Sequence, residues 1–515
     1  APFGKLAGEF SNIEAYGENG KTADPSEILY YAVYLNPSGI VLLPADDEME
    51  PITAYAPDAD RYGPEPANPL YDIIGASIAK AVKMHNSGAR RASGGDDARE
   101  KWEALQDLAR PDGKRGAAAY APTERVVRIT DMSYLTGNSA LPKWNQEGPI
   151  PGATDGFTFN TFTPKNYLAG CGAVMIAQMM RSFKWPENRI DVLTGGREYD
   201  YWVDDETNPR KRRLLGGDGA GGPYVWAPTP TGETISRLMA DCAIAIGSIF
   251  GYDETGSHEE NIAKELTRSF GYRDAVLATS GVSSGFGQMN RDALMRAMNS
   301  NIDAGKPVGL CIFSTTDNGG HAVVVDAYGY SYGSIYHNVN MGYGATTDTW
   351  FGLPGIYDYD IVDYVIYNIY DDRGTPPLGS EIISGRVLMS ALTATGAPAA
   401  GAVVTITGPG VRKSSDPLRG AGRFFFDGLQ ADTEYTLTAQ LSGHQFPTVT
   451  VRTGRSFSPT KENGYTQGIG NRWDEVIQEA GTSDATTTSG GCGAASYPLL
   501  FALFGAGVIL LRRKK

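Results

Sequence analysis

The sequence predicts an α+β protein, followed by a small all-β module and an apolar C-terminal segment. Three observations carry that prediction. Between about residues 125 and 372 helical patterns mix with apolar strands; from about 378 to 455 short strands recur, each bounded by Gly, Pro or Asp; residues 494–511 are apolar or small throughout. At 515 residues, 41% hydrophobic and 20% charged, the chain has material for several domains and a large core. Its net charge of −14 argues against a nucleic-acid partner, which needs clustered Lys and Arg on one face. The internal basic run Arg210-Lys211-Arg212-Arg213 lies between Asn208-Pro209 and a glycine-rich stretch, so a solvated loop or a nick site is expected there.

Taken in order, the chain begins with Ala1, from which export with a signal already removed is expected. Ile28 to Leu35 and Ile40 to Asp47, separated by Asn36-Pro37-Ser38-Gly39, read as two strands joined by a turn, and Pro69 to Val82 reads as a helix. Residues 86–118 are polar and rich in Gly, Ala and Arg, with Arg90-Arg91 and Lys114-Arg115-Gly116, the composition of an exposed cleavable connector.

The α+β region is organised around Tyr167 to Met180, where Gly170-Cys171-Gly172 opens an apolar run of helix formers with no proline before Pro186. Cys171 reads as a nucleophile at a helix start. The glycines leave room for a substrate backbone, and the unpaired N–H groups and dipole of the helix N-terminus favour the thiolate. The other cysteines, at 242, 311 and 492, form no metal-ligand spacing with it, and Cys242 and Cys311 lie in apolar, core-like contexts. No metal or cofactor is expected. Further helices are expected at Glu233 to Tyr252 and Arg291 to Ala304, and strands at Pro307 to Ser314, His321 to Tyr328 and Ser334 to Asn340.

A thiolate mechanism needs a base, and the chain has five histidines. His321 follows the flexible Asn318-Gly319-Gly320 and starts an apolar strand, a position from which a side chain can face a cleft. His337 competes with it but reads better as a strand histidine satisfied by a neighbour, because Asn338-Val339-Asn340 follows as a source of an orienting amide. Nucleophile, then histidine, then amide is the order of cysteine proteases whose partners meet only in space.

Gly170-Cys171-Gly172-Ala173 with Ala177-Gln178-Met179, Gly320-His321-Ala322 through Tyr328, and Tyr336 through Gly344, supported by Trp144-Asn145-Gln146, together resemble the streptopain family of secreted bacterial cysteine peptidases. The resemblance implies a papain-like domain in which Cys171 is the nucleophile, His321 the base, Gln146 an oxyanion donor and Asn340 part of the orienting group. It extends to the leader, whose strands ending in Pro44-Ala45-Asp46-Asp47 look like the family's inhibitory propeptide. The chain departs from the family's pattern at Met341 and Tyr343, where tryptophans are usual, so the wall beside the histidine is altered.

The expected organisation is an α+β propeptide at 1–115, a peptidase domain at 116–372, a β-sandwich at 378–455 resembling carboxypeptidase regulatory-like domains, a flexible linker at 456–489 and a sorting signal at 490–515. That tail joins Gly490-Gly491-Cys492, ~18 apolar or small residues and Arg512-Arg513-Lys514-Lys515, and is expected to form a C-terminal transmembrane helix. The expected function is a secreted zymogen of a cysteine endopeptidase, held at the cell surface or outer membrane and released on C-terminal processing. Its partners are protein or peptide substrates, its own propeptide as inhibitor, the membrane, and a sorting protease that cuts the tail. The alternative is a peptidase-fold surface adhesin without catalysis, which Met341 and Tyr343 favour and the joint presence of Cys171, His321, Asn340 and Gln146 opposes.

Overall fold

The structure is a computed structural model. It describes residues 9–56, 59–64, 71, 75–87, 98–99, 102–103, 127–128, 140–226, 230–279, 291–314, 319–331, 334–344, 348–352, 361–373, 379–389, 397–454, 465–466 and 469–480. The expected cleavage sites at Arg90-Arg91 and Lys114-Arg115, and the whole tail with Cys492, lie outside these residues. Among the described residues no helix is long and apolar enough to cross a membrane.

The expected α+β architecture is present. Its centre is an antiparallel run of strands, Val308–Phe313, Gly320–Ser331, Ser334–Asn340 and Asp348–Phe351, with Ile361–Tyr370 on the other side of Val308–Phe313. The valines and alanines at 322–325 are buried, as a strand covered on both faces requires. The helix Cys171–Phe183 packs on this strand, and the helix Gly232–Ala245, capped by the Thr231 hydroxyl accepting from the Thr234 N–H, packs on that helix in turn. The helix Arg291–Asp303 also touches the Gly320–Ser331 strand.

The basic run is a strand, Arg210–Arg213, paired with Glu198–Val203 rather than lying in a loop. Arg212 donates to the Phe162 carbonyl at 3.0 Å, and the buried Asp241 accepts from the Leu215 and Gly216 N–H groups at 2.7 and 2.8 Å, so the glycine-rich stretch beside the run is held in place.

The leader contributes Tyr30–Asn36 and Ile40–Pro44, joined by the expected turn, and adds to the central sheet through Ala54–Ala56, which pairs with Asp348–Phe351. It is therefore an extension of the sheet rather than a unit folded apart from it. Tyr31, Val33, Leu43 and Tyr55 share one apolar cluster with Ala327, Tyr336 and Trp350.

The β-sandwich lies where expected, as a three-stranded sheet around Glu381–Leu388 and a four-stranded sheet around Val403–Gly408 and Glu434–Gln440. The flexible linker expected at 456–489 is not one throughout. Arg472–Gln478 is a strand parallel to Glu381–Leu388, with Ile477 fully buried. Asn471, just before this strand, is fully buried. Asn471 and Asn368 exchange amide bonds at 2.8 and 3.0 Å, Asn301 donates to Asn368 at 2.9 Å, and Asn471 donates to the Ser300 hydroxyl at 2.8 Å. Beside this ladder the buried Asp303 accepts from Tyr328 and Ser384, both at 2.7 Å, and from Arg423 at 3.2 Å. The sandwich is thus docked by buried polar bonds. Asp303→Ala would leave the Arg423 guanidinium buried without its counter-charge, and should cost about 3–5 kcal/mol in urea unfolding. A loss below about 1 kcal/mol would show that this contact does not hold the two parts together.

Candidate active site

Cys171 is the first residue of its helix, and every residue from Gly172 to Met180 behind it is buried. Gly170 precedes it at φ +90, a backbone that favours glycine, and a Cβ there would meet Thr255 at 3.1 Å. A Cβ on Gly172 would meet the Ser257 hydroxyl at 2.8 Å. The two glycines therefore admit the Thr255–Ser257 segment, where the sequence suggested room for a substrate. The Thr255 hydroxyl donates to the Leu168 carbonyl at 2.7 Å and ties that segment to the helix entrance.

The residue is only partly buried, yet its sulfur is closely surrounded. Burial pushes the thiol up to about 11, against the lowering effect of N–H groups from Ala322, Gly172 and Cys171 itself, while the charge of Glu259 pushes in the same direction as burial. The expectation that the helix N-terminus would favour the thiolate is reversed. Desolvation of an anion outweighs a few backbone dipoles when water is excluded.

The Ala322 amide meets the sulfur, and His321 is the preceding residue on the same strand, Gly320–Ser331. His321 is 5% exposed, its ring lies parallel to Tyr343 at 4.9 Å between centroids, and its Nε2 bonds the Met341 carbonyl at 2.8 Å. A carbonyl only accepts, so Nε2 carries the proton and Nδ1 is the basic nitrogen of the neutral ring. Burial pushes His321 down to about 4, with the Met341 carbonyl opposing. The two departures from the family's pattern thus fit the site. Position 341 acts through its backbone, and Tyr343 supplies an aromatic face.

Asn340 is 3% exposed. Its Nδ2 donates to the Pro142 carbonyl and to Gln178 Oε1, both at 3.0 Å; its Oδ1 accepts from Gln178 Nε2 at 3.3 Å and from the Gly342 N–H at 3.0 Å. The amide expected to orient the histidine instead holds the turn whose Met341 carbonyl does so. Gln146 is partly buried; its carbonyl accepts from the Ala169 N–H at 3.0 Å, two residues before Cys171, and its own N–H donates to Asn145 Oδ1 at 2.7 Å. The structure thus places the Ala322 amide at the Cys171 sulfur, the Met341 carbonyl on His321, and the Gln146 carbonyl on Ala169, two residues before Cys171.

His337 lies elsewhere, fully buried, with Nε2 bonded to Asn299 Oδ1 at 2.7 Å, the neighbour-satisfied role expected of it. Cys242 is buried with its sulfur 3.8 Å from that of Met180, and Cys311 is buried on the strand that pairs with Ala322. Among the described residues no group of three or more His, Cys, Asp or Glu could hold a metal ion.

Sequence reasoning did not assign roles to Gln178, the Met341 carbonyl or Glu259. For Gln178 a signal existed, since it is the one polar side chain between Gly172 and Met180.

Residues 153–351 match the model of the Peptidase C10 family. That segment is similar to the Peptidase C10 family, and it makes up well under half of the chain. The matched segment holds Cys171, Gln178, His321, Asn340, Met341 and Tyr343; Gln146, the leader and the sandwich lie outside it. No curated protein matches the chain. Among solved structures, a mutant fragment of Prevotella intermedia prointerpain A is similar at 16% identity and a TM-score of 0.45, over 71% of this chain and 100% of that one. Active wild-type Prevotella intermedia interpain A cysteine protease is similar at 19% identity and a TM-score of 0.34, over 44% of this chain and 93% of that one.

The electrostatics of this C10 segment give a direct test. With the thiol at about 11, on the order of one Cys171 in ten thousand is thiolate at pH 7. Alkylation of Cys171 by iodoacetamide in the intact chain, followed by mass spectrometry, should accelerate about tenfold per pH unit from 7 to 10. A rate already level below pH 7 would mean that a thiolate–imidazolium pair is preformed.

Proposed function

We propose that the chain is a cysteine endopeptidase made as a zymogen. What supports this reading is the thiol of Cys171 against the Ala322 amide, with His321 the preceding residue on that strand and its Nε2 tied to the Met341 carbonyl. Nδ1 accepts the thiol proton as Sγ attacks the peptide carbonyl. The tetrahedral oxyanion receives hydrogen bonds from the Cys171 N–H and the Gln146 side-chain amide, each donor worth ~3–4 kcal/mol in the transition state. His321 returns the proton to the leaving amine, and an acyl-enzyme remains on Cys171. Water, deprotonated by the same Nδ1, hydrolyses it. Proton transfer within the pair suits a thiol and an imidazole that are both neutral in the closed site, since no isolated charge is then buried at rest.

Latency follows from the leader's place in the sheet. Its strand Ala54–Ala56 pairs with Asp348–Phe351, which pairs with the strand that ends at Asn340, so the uncut leader constrains the sheet edge next to the Met341 turn and its removal lets that turn take its working position. Export, surface retention through residues 490–515 and later tail processing remain part of the proposal, resting on the apolar run and its basic end.

On casein or a fluorogenic peptide, Cys171→Ala should abolish turnover, and His321→Ala should be equally damaging because nucleophile and base act as a unit. Gln146→Ala should lower kcat roughly 10²-fold, and His337→Ala should chiefly lower the Tm. Turnover by the Cys171→Ala protein would end the assignment. The full chain should also be less active than the same protein cut between leader and peptidase; equal rates would remove the inhibitory role of the leader.

A further inference from the structure

A polar side chain inside an apolar helix needs a reason, and Gln178 makes three hydrogen bonds. It sits two turns after Cys171 on the same helix and is 1% exposed. Its Oε1 accepts from Asn340 Nδ2 at 3.0 Å and from the Trp144 N–H at 3.2 Å, while its Nε2 donates to Asn340 Oδ1 at 3.3 Å. Asn340 completes the circuit through the Pro142 carbonyl and the Gly342 N–H, and the Trp144 carbonyl accepts from the Gly344 N–H at 3.0 Å. One buried amide pair therefore ties three chain segments together: the helix that starts with Cys171, the 142–146 segment that leads to Gln146, and the 340–344 turn that carries Met341 and Tyr343 against His321.

We propose that Gln178 is a positioning residue for the reaction, setting the distance between the Cys171 thiol and His321 and, through Trp144, the approach of Gln146. This rests on the cysteine peptidase reading of the same site. The physical argument is that the Gln178 side chain bonds both flanking segments at once. An amide fixed at both ends transmits position, whereas an apolar residue of equal size leaves the 340–344 turn free to slide along the helix. A shift of about 1 Å in a reacting group costs on the order of 10²-fold in rate.

The test uses the full chain, folded intact and then nicked with trypsin, in parent, Cys171→Ala, Gln178→Met, Gln178→Glu and Cys242→Ala forms. Cys242→Ala is the control for a purely structural loss, because it also removes a contact buried between the Cys171–Phe183 and Gly232–Ala245 helices. Gln178→Met should lower kcat on a fluorogenic peptide roughly tenfold or more with KM within about threefold, and shift the pH dependence of kcat/KM. Gln178→Glu keeps the acceptor for Asn340 Nδ2 and the Trp144 N–H but loses the donor, so it should fall between parent and Gln178→Met. Cys242→Ala should lose Tm with kcat unchanged. If Gln178→Met does not fold, Gln178→Glu carries the comparison. Independently of turnover, the pH profile of Cys171 alkylation in the intact chain should shift in the Gln178 variants and not in Cys242→Ala. Folded Gln178 variants with parental kcat and an unmoved alkylation profile overturn the inference, and so does a loss confined to KM. Turnover by Cys171→Ala overturns the peptidase reading instead.

Discussion

The bond on which the site depends is the reciprocal amide pair of Gln178 and Asn340. Two amides taken out of water are costly unless every donor and acceptor is met, and here the neighbours that meet them are main-chain groups of Pro142, Trp144 and Gly342. That requirement specifies geometry more sharply than apolar packing does, because a slid turn would leave buried groups unbonded. Asn340 also holds the Gly342 N–H, next in the chain to the Met341 carbonyl that bonds His321 Nε2, so the amide pair bears on the turn that sets the tautomer of the histidine.

The same logic operates at larger scale at the two ends of the sheet. At one edge the leader adds strands by main-chain pairing, so its attachment depends on backbone and on the apolar cluster around Trp350. On the other side the sandwich is held by buried asparagines and by Asp303 with Arg423, Tyr328 and Ser384. The strand Gly320–Ser331 joins the two regions, carrying His321 near its start and Tyr328, a partner of Asp303, further along. The sandwich is therefore built into the protein's core contacts rather than tethered beside it.

Burial sets the electrostatics of the site in one direction. It raises the Cys171 thiol to about 11 and lowers His321 to about 4, so both groups rest neutral between those limits. The leading cause is the same for both, removal of water from a group that would otherwise be charged. Glu259 adds to the effect on the sulfur and makes the local potential more negative. Any opening of the site to water, such as relaxation of the sheet edge when the leader leaves, acts on both groups at once.

The sequence by itself determined the elements and the chemistry-bearing residues, because periodicity, turn residues and a glycine-flanked cysteine are local signals. The Cys171 helix, the strands at 308–313 and 334–340, and the sandwich strands from Glu381 to Arg452 all lie close to where the pattern places them. Only the tertiary structure decided what those residues do to one another. It turned the basic run into a strand, put the strand Arg472–Gln478 of the sandwich inside the expected linker, and paired Asn340 with Gln178. It also reversed the direction of the thiol's shift. In each case the deciding term is a partner or a loss of water supplied by residues far away in the chain, and neither composition nor spacing encodes which distant group will arrive.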